Sequence, residues 1–590
     1  MLTKKLFFAL VDGSFVLDIC ILHCDMLHKI HIPVMGICYT VDSPIRVAPF
    51  GITSVISLVD DGLLEEYRMA YAEREGIHVG NPETTREGRI RAYLDFVADE
   101  TERRFLALQA MRFAGGTLPQ YSNASAASAN DKDKYFLMLP GDSPLREEYM
   151  QVCAKTGLSR IGAEASLTAK MKMGEIQANI MVALNHKDAA LDAVRGFATS
   201  KVSGSLVLSA GINLGVFEEI AKYKCFYRQE INGEIVAPEK RIILKVSDYR
   251  SALTQGKYLA KKGLEVYEYR IESGVNCGGH SFCVAKKLLP DVIHEFVECK
   301  QNLFEATSTL IAKTSVPPRK PSRITAQGGI CCASEVEQIL SMGVDGVGVG
   351  TPFLLVPQAT SCDKDTRRRL AASTSADVVL SHASPLGIPF MNLLTSTAAE
   401  ICREKANRIL FGFTHSNGDA QTAPAPMHQL STSEEPGFPC RQHYLCRAVE
   451  GFDHPICMAS REYVLHRLAE INAQEASGAC TREVAQSLRK EVLERECICR
   501  FLGNAGREEL RERSPSLHYD SREISAARLQ KPVKREPVTV CPGPNIAYFT
   551  REYTLLEMMR HLYGTGPQLT PADKPSAFEI EREILQKLGL

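Results

Sequence analysis

The residues best suited to chemistry lie in Ser273-Gly274-Val275-Asn276-Cys277-Gly278-Gly279-His280, directly after a run rich in β-forming residues. Imidazole titrates near neutral pH, so His280 can take a proton from a carbon acid and return it. Further on, Arg323-Ile324-Thr325-Ala326-Gln327-Gly328-Gly329-Ile330 and Gly343-Val344-Asp345-Gly346-Val347-Gly348-Val349-Gly350-Thr351-Pro352-Phe353 are short β-branched runs that each stop at glycine. Ala333 to Ser341 between them carries Val336, Ile339 and Leu340 on one helical face. Glycines just after a parallel strand let backbone N–H groups approach an anion, and the N-terminus of a following helix adds favourable partial charge. Two such turns one β/α unit apart are expected to bind phosphate. A histidine at the mouth of the same unit is expected to face substrate.

A parallel sheet must hold these turns, and the chain offers its strands at suitable intervals. The expected strands are Ile32–Ile37, Ile52–Leu58, Glu175–Ala183, Ser205–Gly211, Arg241–Val246 and Leu264–Ile271, followed by the two glycine-terminated runs. Amphipathic helices are expected at Leu63–Glu75, Arg86–Arg112, Leu145–Thr156 and Leu167–Met173. Eight strands separated by helical segments imply right-handed crossovers and a closed (β/α)8 barrel of the TIM type, in which the loops after the last two strands usually bind phosphate. An open doubly wound sheet is the competing architecture; it would hold a nucleotide at its first β/α turn.

The chain of 590 residues is too long for one core, so a large domain and a further region are expected. A net charge of -1 supplies no basic field for nucleic acid or for an anionic membrane, and no stretch is long enough to span a bilayer. Leu6 to Val11, after Lys4 and Lys5, imitates a secretory signal, but Asp12 and Asp18 interrupt it, and a cytoplasmic protein is expected. The 19 cysteines then read as reduced thiols rather than a disulfide framework.

The order Asn276-Cys277-Gly278-Gly279-His280, Ala326-Gln327-Gly328-Gly329-Ile330 and Gly343 to Phe353 resembles the flavin-dependent nitronate monooxygenases, the 2-nitropropane dioxygenase-like proteins. The resemblance spans roughly Ile32 to Phe353 and is strongest in its last third. It implies a barrel holding FMN, with His280 as catalytic base. Gly328, Gly329, Gly350 and Thr351 would hold the phosphate end, with Gly278, Gly279, Asn179 and Lys245 near the flavin and Gln327 also binding the cofactor. The implied partner is a small nitronate or related carbon acid oxidised with O2, with NAD(P)H a possible reductant. Departures are present: Asn276-Cys277 stands where the family has Glu-Ala, Pro352 where it has arginine, and the turn at Gly36-Ile37-Cys38-Tyr39 is atypical. Enoyl reductases are relatives of the same class, so that activity stays open. From the residues alone, a flavin-free isomerase or lyase on the same phosphate turns stays open too, as does a non-catalytic scaffold.

The expected domains are an N-terminal extension (1–30), the barrel (31–395, with a loop insert near 114–134) and an α-rich C-terminal region (396–590). The insert is expected from its Ser, Ala, Asn and Gly content. In the C-terminal region, helices are expected at Ala398–Ile409, Arg461–Gln474, Thr481–Glu496 and Leu555–Leu562, with a polar connection at Asn417–Pro439 and a charged stretch at Arg507–Pro537 that is either exposed or an insertion. Its cysteines lack a Cys-x-x-Cys pair; Cys497, Cys499 and Cys541 are the candidates for an iron–sulfur cluster or zinc.

Overall fold

A computed structural model describes residues 27–114, 129–182, 188–209, 211–281, 287–411, 435–439, 446–513 and 535–589. Eight parallel strands form its centre: β1 (Ile30–His31), β2 (Ser54–Ser57), β3 (Ile176–Met181), β4 (Ser205–Ser209), β5 (Arg241–Val246), β6 (Val266–Glu272), β7 (Arg323–Gln327) and β8 (Gly346–Gly348). They pair in the order β1-β8-β7-β6-β5-β4-β3-β2. A parallel bridge between Ile32 and Ser54 joins the two ends, with the Ile32 N–H donating to Thr53 O at 2.9 Å. The fold is therefore a (β/α)8 barrel with additional helices, and the open-sheet alternative falls.

Strand alternation sets the barrel interior. Val55, Val207 and Ile243 form one inner apolar cluster with Val34 and Tyr267 against it. Beside it lies a buried ion pair, Arg270 to Glu268 at 2.8 Å, with Thr325 donating to Glu268 and Arg270 donating to Gln177. The Arg270 guanidinium holds the Glu268 carboxyl well below its ordinary range. Full hydrogen bonding is what lets two charges stay inside a barrel.

Several boundaries differ from the sequence reading, each for a physical reason. The first strand ends by Ile32, because Pro33 has no N–H to continue a ladder. Within the expected insert, Asp131–Leu137 is a helix, fixed by a reciprocal capping box of Asn130 and Asp133; residues 115–128 of the insert lie outside the described residues. The helix expected at Leu167–Met173 is instead Gly157–Ala169, whose apolar Leu158 and Ile161 are exposed, so periodicity could not locate it. The expected extension before Leu27, most of the connection at 417–439 and residues 514–534 also lie outside the described residues.

Arg507 to Arg513 is not an exposed charged stretch but the second half of the helix Ile498–Arg513. Apart from exposed Glu512, its charges are buried or half-buried and are paired. Arg507 donates to Glu66 at 2.9 Å and to Asp60 at 3.4 Å. Arg513 and Arg46 share Glu509 and Asp42. Cys38 donates its thiol proton to Leu502 O at 2.8 Å, and Tyr39 its hydroxyl to Thr539 O at 2.9 Å. Ile498, Leu502, Val540, Ile546 and Leu562 belong to the same apolar core as the barrel strands. This part of the C-terminal region thus packs into the barrel's core.

Candidate active site

The C-terminal ends of the strands surround a cavity of about 450 Å³, within the ordinary range for small-molecule sites. Ser57, Asn179, Ser209, Lys245, Glu272 and Gln327 form its floor. His280, Gly278 and Gly279 line one wall; Gly328, Gly329, Gly350 and Thr351 line another. All ten residues expected as catalytic or cofactor-binding therefore meet in one cavity.

Polar groups on the floor are already ordered. Lys245 Nζ sits 2.6 Å from Glu272, and Gln327 Nε2 donates to the same carboxylate at 2.8 Å. Gln327 Oε1 is buried without a hydrogen-bond partner. Asn179 Nδ2 donates to Ser209 Oγ at 3.0 Å. Below them, both ring nitrogens of His31 are buried and unpartnered, and burial holds that imidazole neutral by pushing its pKa well down.

His280 lies in a two-residue strand, Gly279–His280, paired antiparallel with Phe390–Leu393. Its Nε2 shares a 2.7 Å hydrogen bond with Ser384 Oγ, and its ring packs on Phe390 at 4.9 Å between centroids. Burial pushes the imidazole down to about 4. His280 is therefore neutral at neutral pH and weakly basic.

At the glycine turns, no acceptor among the described residues takes the backbone N–H of Gly329, Ile330, Gly350 or Thr351. Unpaired N–H groups gathered at strand ends form a concavity suited to an anion. Close approach is forced there: Gly329 has φ +70, and a Cβ on it would lie 2.1 Å from Asn276 Nδ2. The donor set fits a phosphorylated ligand at this end. On the floor, the orphaned Gln327 Oε1 and the Lys245 ammonium fit a planar group carrying both donors and acceptors, as an isoalloxazine does.

The other candidates separate. Cys541 lines the cavity, its thiol pushed up to about 12 by burial. Cys497 packs with Ala398, Cys402 and Phe501, and Cys499 in the main core; neither lines the cavity, though Ile498 between them does. Among the described residues no group of three metal-ligating side chains is assembled. Cys497, Cys499 and Cys541 are thus not gathered into one metal-ligating group among the described residues. Sequence reading missed Glu272, Ser384, Asn276, Gly543 and Asn545. Glu272 was within reach, since Arg270 and Glu272 keep the period of 2 that points side chains inward; Ser384, Gly543 and Asn545 arrive from distant segments that carry no local signal.

No family model and no curated protein matches the chain. Similar solved structures include the enoyl reductase domain of MlnA from the macrolactin biosynthesis cluster of Bacillus amyloliquefaciens, at 14% identity over 76% of this chain and 89% of that one, TM-score 0.38. FabK from Thermotoga maritima is 15% identical over 46% of this chain and 76% of that one, TM-score 0.27. Nitroalkane oxidase from Streptomyces ansochromogenes is 11% identical over 62% of this chain and 78% of that one, TM-score 0.30.

Proposed function

We propose that the chain is an FMN-dependent oxidoreductase that oxidises a small nitronate or related carbon acid with O2. The observation that carries this reading is the convergence on one cavity of four unpartnered backbone N–H groups, the Lys245–Glu272–Gln327 floor and His280. Gly329, Gly350 and Thr351 would hold the phosphate; Gln327, Lys245 and Asn179 would hold the ring system. FMN, when bound, would supply the electron-transfer chemistry.

The chain's own residues bind, orient and exclude water. Leu354, Phe390, Ile498 and Leu502 give the cavity apolar walls. Lys245, held by Glu272, would offer an ammonium donor to an anionic substrate or ring system. Neutral His280, steadied by Ser384, accepts a proton only from a substrate that is itself acidic, or orients one that arrives already ionised. Its low basicity favours nitronates over unactivated carbon acids.

A second reading, an enoyl reductase, uses the same cofactor site and needs NAD(P)H as hydride donor. Oxygen uptake with propyl-2-nitronate, set against NAD(P)H oxidation with a crotonyl thioester, separates the two. Turnover of the nitronate alone supports the first reading; turnover of the thioester alone replaces it with the second. The phosphate-metabolite and scaffold alternatives predict neither.

A further inference from the structure

A segment nearly 200 residues beyond the glycine turns crosses both of them. The Gly543 N–H donates to Thr351 Oγ1 at 2.9 Å, and Asn545 Nδ2 donates to Gly329 O at 3.1 Å. The same segment touches the histidine loop, where a Cβ on Gly278 would lie 2.5 Å from Cys541 O. Asn545 is 1% exposed and lines the cavity. One short stretch thus ties together the loops after β6, β7 and β8.

The chemistry of these two bonds is one-sided. An anion in a backbone cradle is attracted by N–H and O–H groups and repelled by carbonyl and hydroxyl lone pairs. Near the four unpartnered N–H groups, Gly329 O and Thr351 Oγ1 are acceptors that would oppose an anion. Both take a hydrogen bond from the crossing segment, while the buried amide oxygens of Asn545 and Asn276 stay unpartnered. A threonine hydroxyl has one proton and two lone pairs, so accepting from Gly543 leaves its proton to be donated elsewhere.

We infer that Gly543 and Asn545 are part of the anion site, with Asn545 a positioning residue that occupies Gly329 O and so holds the turn whose N–H groups face the ligand phosphate. This inference rests on the phosphate reading of the cavity. It makes the C-terminal region a component of ligand binding and selects phosphorylated ligands over their unphosphorylated counterparts.

The test compares FMN with riboflavin, which lacks the phosphate, by fluorescence titration of the full-length apoprotein. In Asn545→Asp the donor to Gly329 O is lost and a negative charge takes its place. FMN should weaken roughly 10- to 100-fold, the range for losing a hydrogen bond next to a charged group, while riboflavin changes by less than about 3-fold. Asn545→Ser, which removes the donor's reach without adding charge, should weaken FMN less than Asn545→Asp does. Riboflavin binding also shows that each variant is folded. An unchanged FMN-to-riboflavin preference in Asn545→Asp, or equal weakening of both ligands, overturns the inference. If the wild type takes neither flavin, the FMN reading fails, and protection against unfolding by inorganic phosphate decides separately. Protection of wild type but not of Asn545→Asp upholds the inference; protection of both or of neither overturns it.

Discussion

Gly329→Ala tests the geometry of the glycine turn quantitatively. A left-handed backbone costs a residue with a Cβ about 1–2 kcal/mol. The new methyl would lie 2.1 Å from Asn276 Nδ2 and 2.7 Å from its Cγ, so Asn276 must move. That side chain is buried and donates to Ala577 O at 2.8 Å. Displacing it adds about 1–3 kcal/mol of overpacking and about 1 kcal/mol for the hydrogen bond. The total is about 3–6 kcal/mol. Gly279→Ala is the control, because Gly279 has φ +68 but, its chain neighbours aside, no atom within 4 Å of where a Cβ would stand. It should lose only the backbone part, about 1–2 kcal/mol. The chain contains no tryptophan, so urea unfolding followed by far-UV circular dichroism is the suitable assay. Equal destabilisation by the two substitutions would refute the argument that Asn276 is packed onto Gly329.

Three further outcomes are expected. His280→Ala should lower turnover by about 10²- to 10⁴-fold while leaving flavin content nearly unchanged, since the histidine's role is proton transfer or orientation; loss of flavin in step with turnover would leave it only a binding role. Acid should destabilise the fold in a specific window. Burial pushes His28 down to about 4 from 6.5, so the unfolded chain takes up that proton first. Stability is undiminished above about pH 6.5 and is lost as pH drops, the loss reaching about 3 kcal/mol near pH 4, with His280 acting in the same direction. His28→Phe should flatten that part of the urea-midpoint profile, and an unchanged profile would contradict the burial argument. Arg507→Ala should cost about 3–5 kcal/mol, because Glu66 and Asp60 would stay buried without their cation; a loss below about 1 kcal/mol in the same urea assay would show that the helix Ile498–Arg513 is not held by this clamp.

What could be read from the sequence was set by local signals. The strands announce themselves through β-branched runs ending in glycine, and β5 matches its expected bounds, Arg241–Val246. Periodicity also fixed the helix Leu555–Leu562. The phosphate turns and His280 were legible because they follow the barrel's last strands, where barrel topology converges, whereas Asn179, Lys245, Gly278 and Gly279 came from the family resemblance. Long-range partners were invisible. Ser384 meets His280 across 104 positions, and Asn545 meets Gly329 across 216, with no pattern near either residue to point to the other. Charge misled as well: Arg507 and Arg513 look like solvent-facing residues, yet their partners Glu66, Asp60 and Asp42 lie in the first barrel units and draw them inward. Sequence shows that a charge is present, but only the fold shows that it is paired.

The central claim is that this cavity holds FMN. The most direct measurement is the absorption spectrum of the purified protein, with mass identification of whatever heat releases. The account predicts a yellow protein containing FMN near one per chain, or an apoprotein that takes up added FMN to that level. A colourless protein that refuses added FMN would contradict it and would leave the anion site to a different phosphorylated ligand.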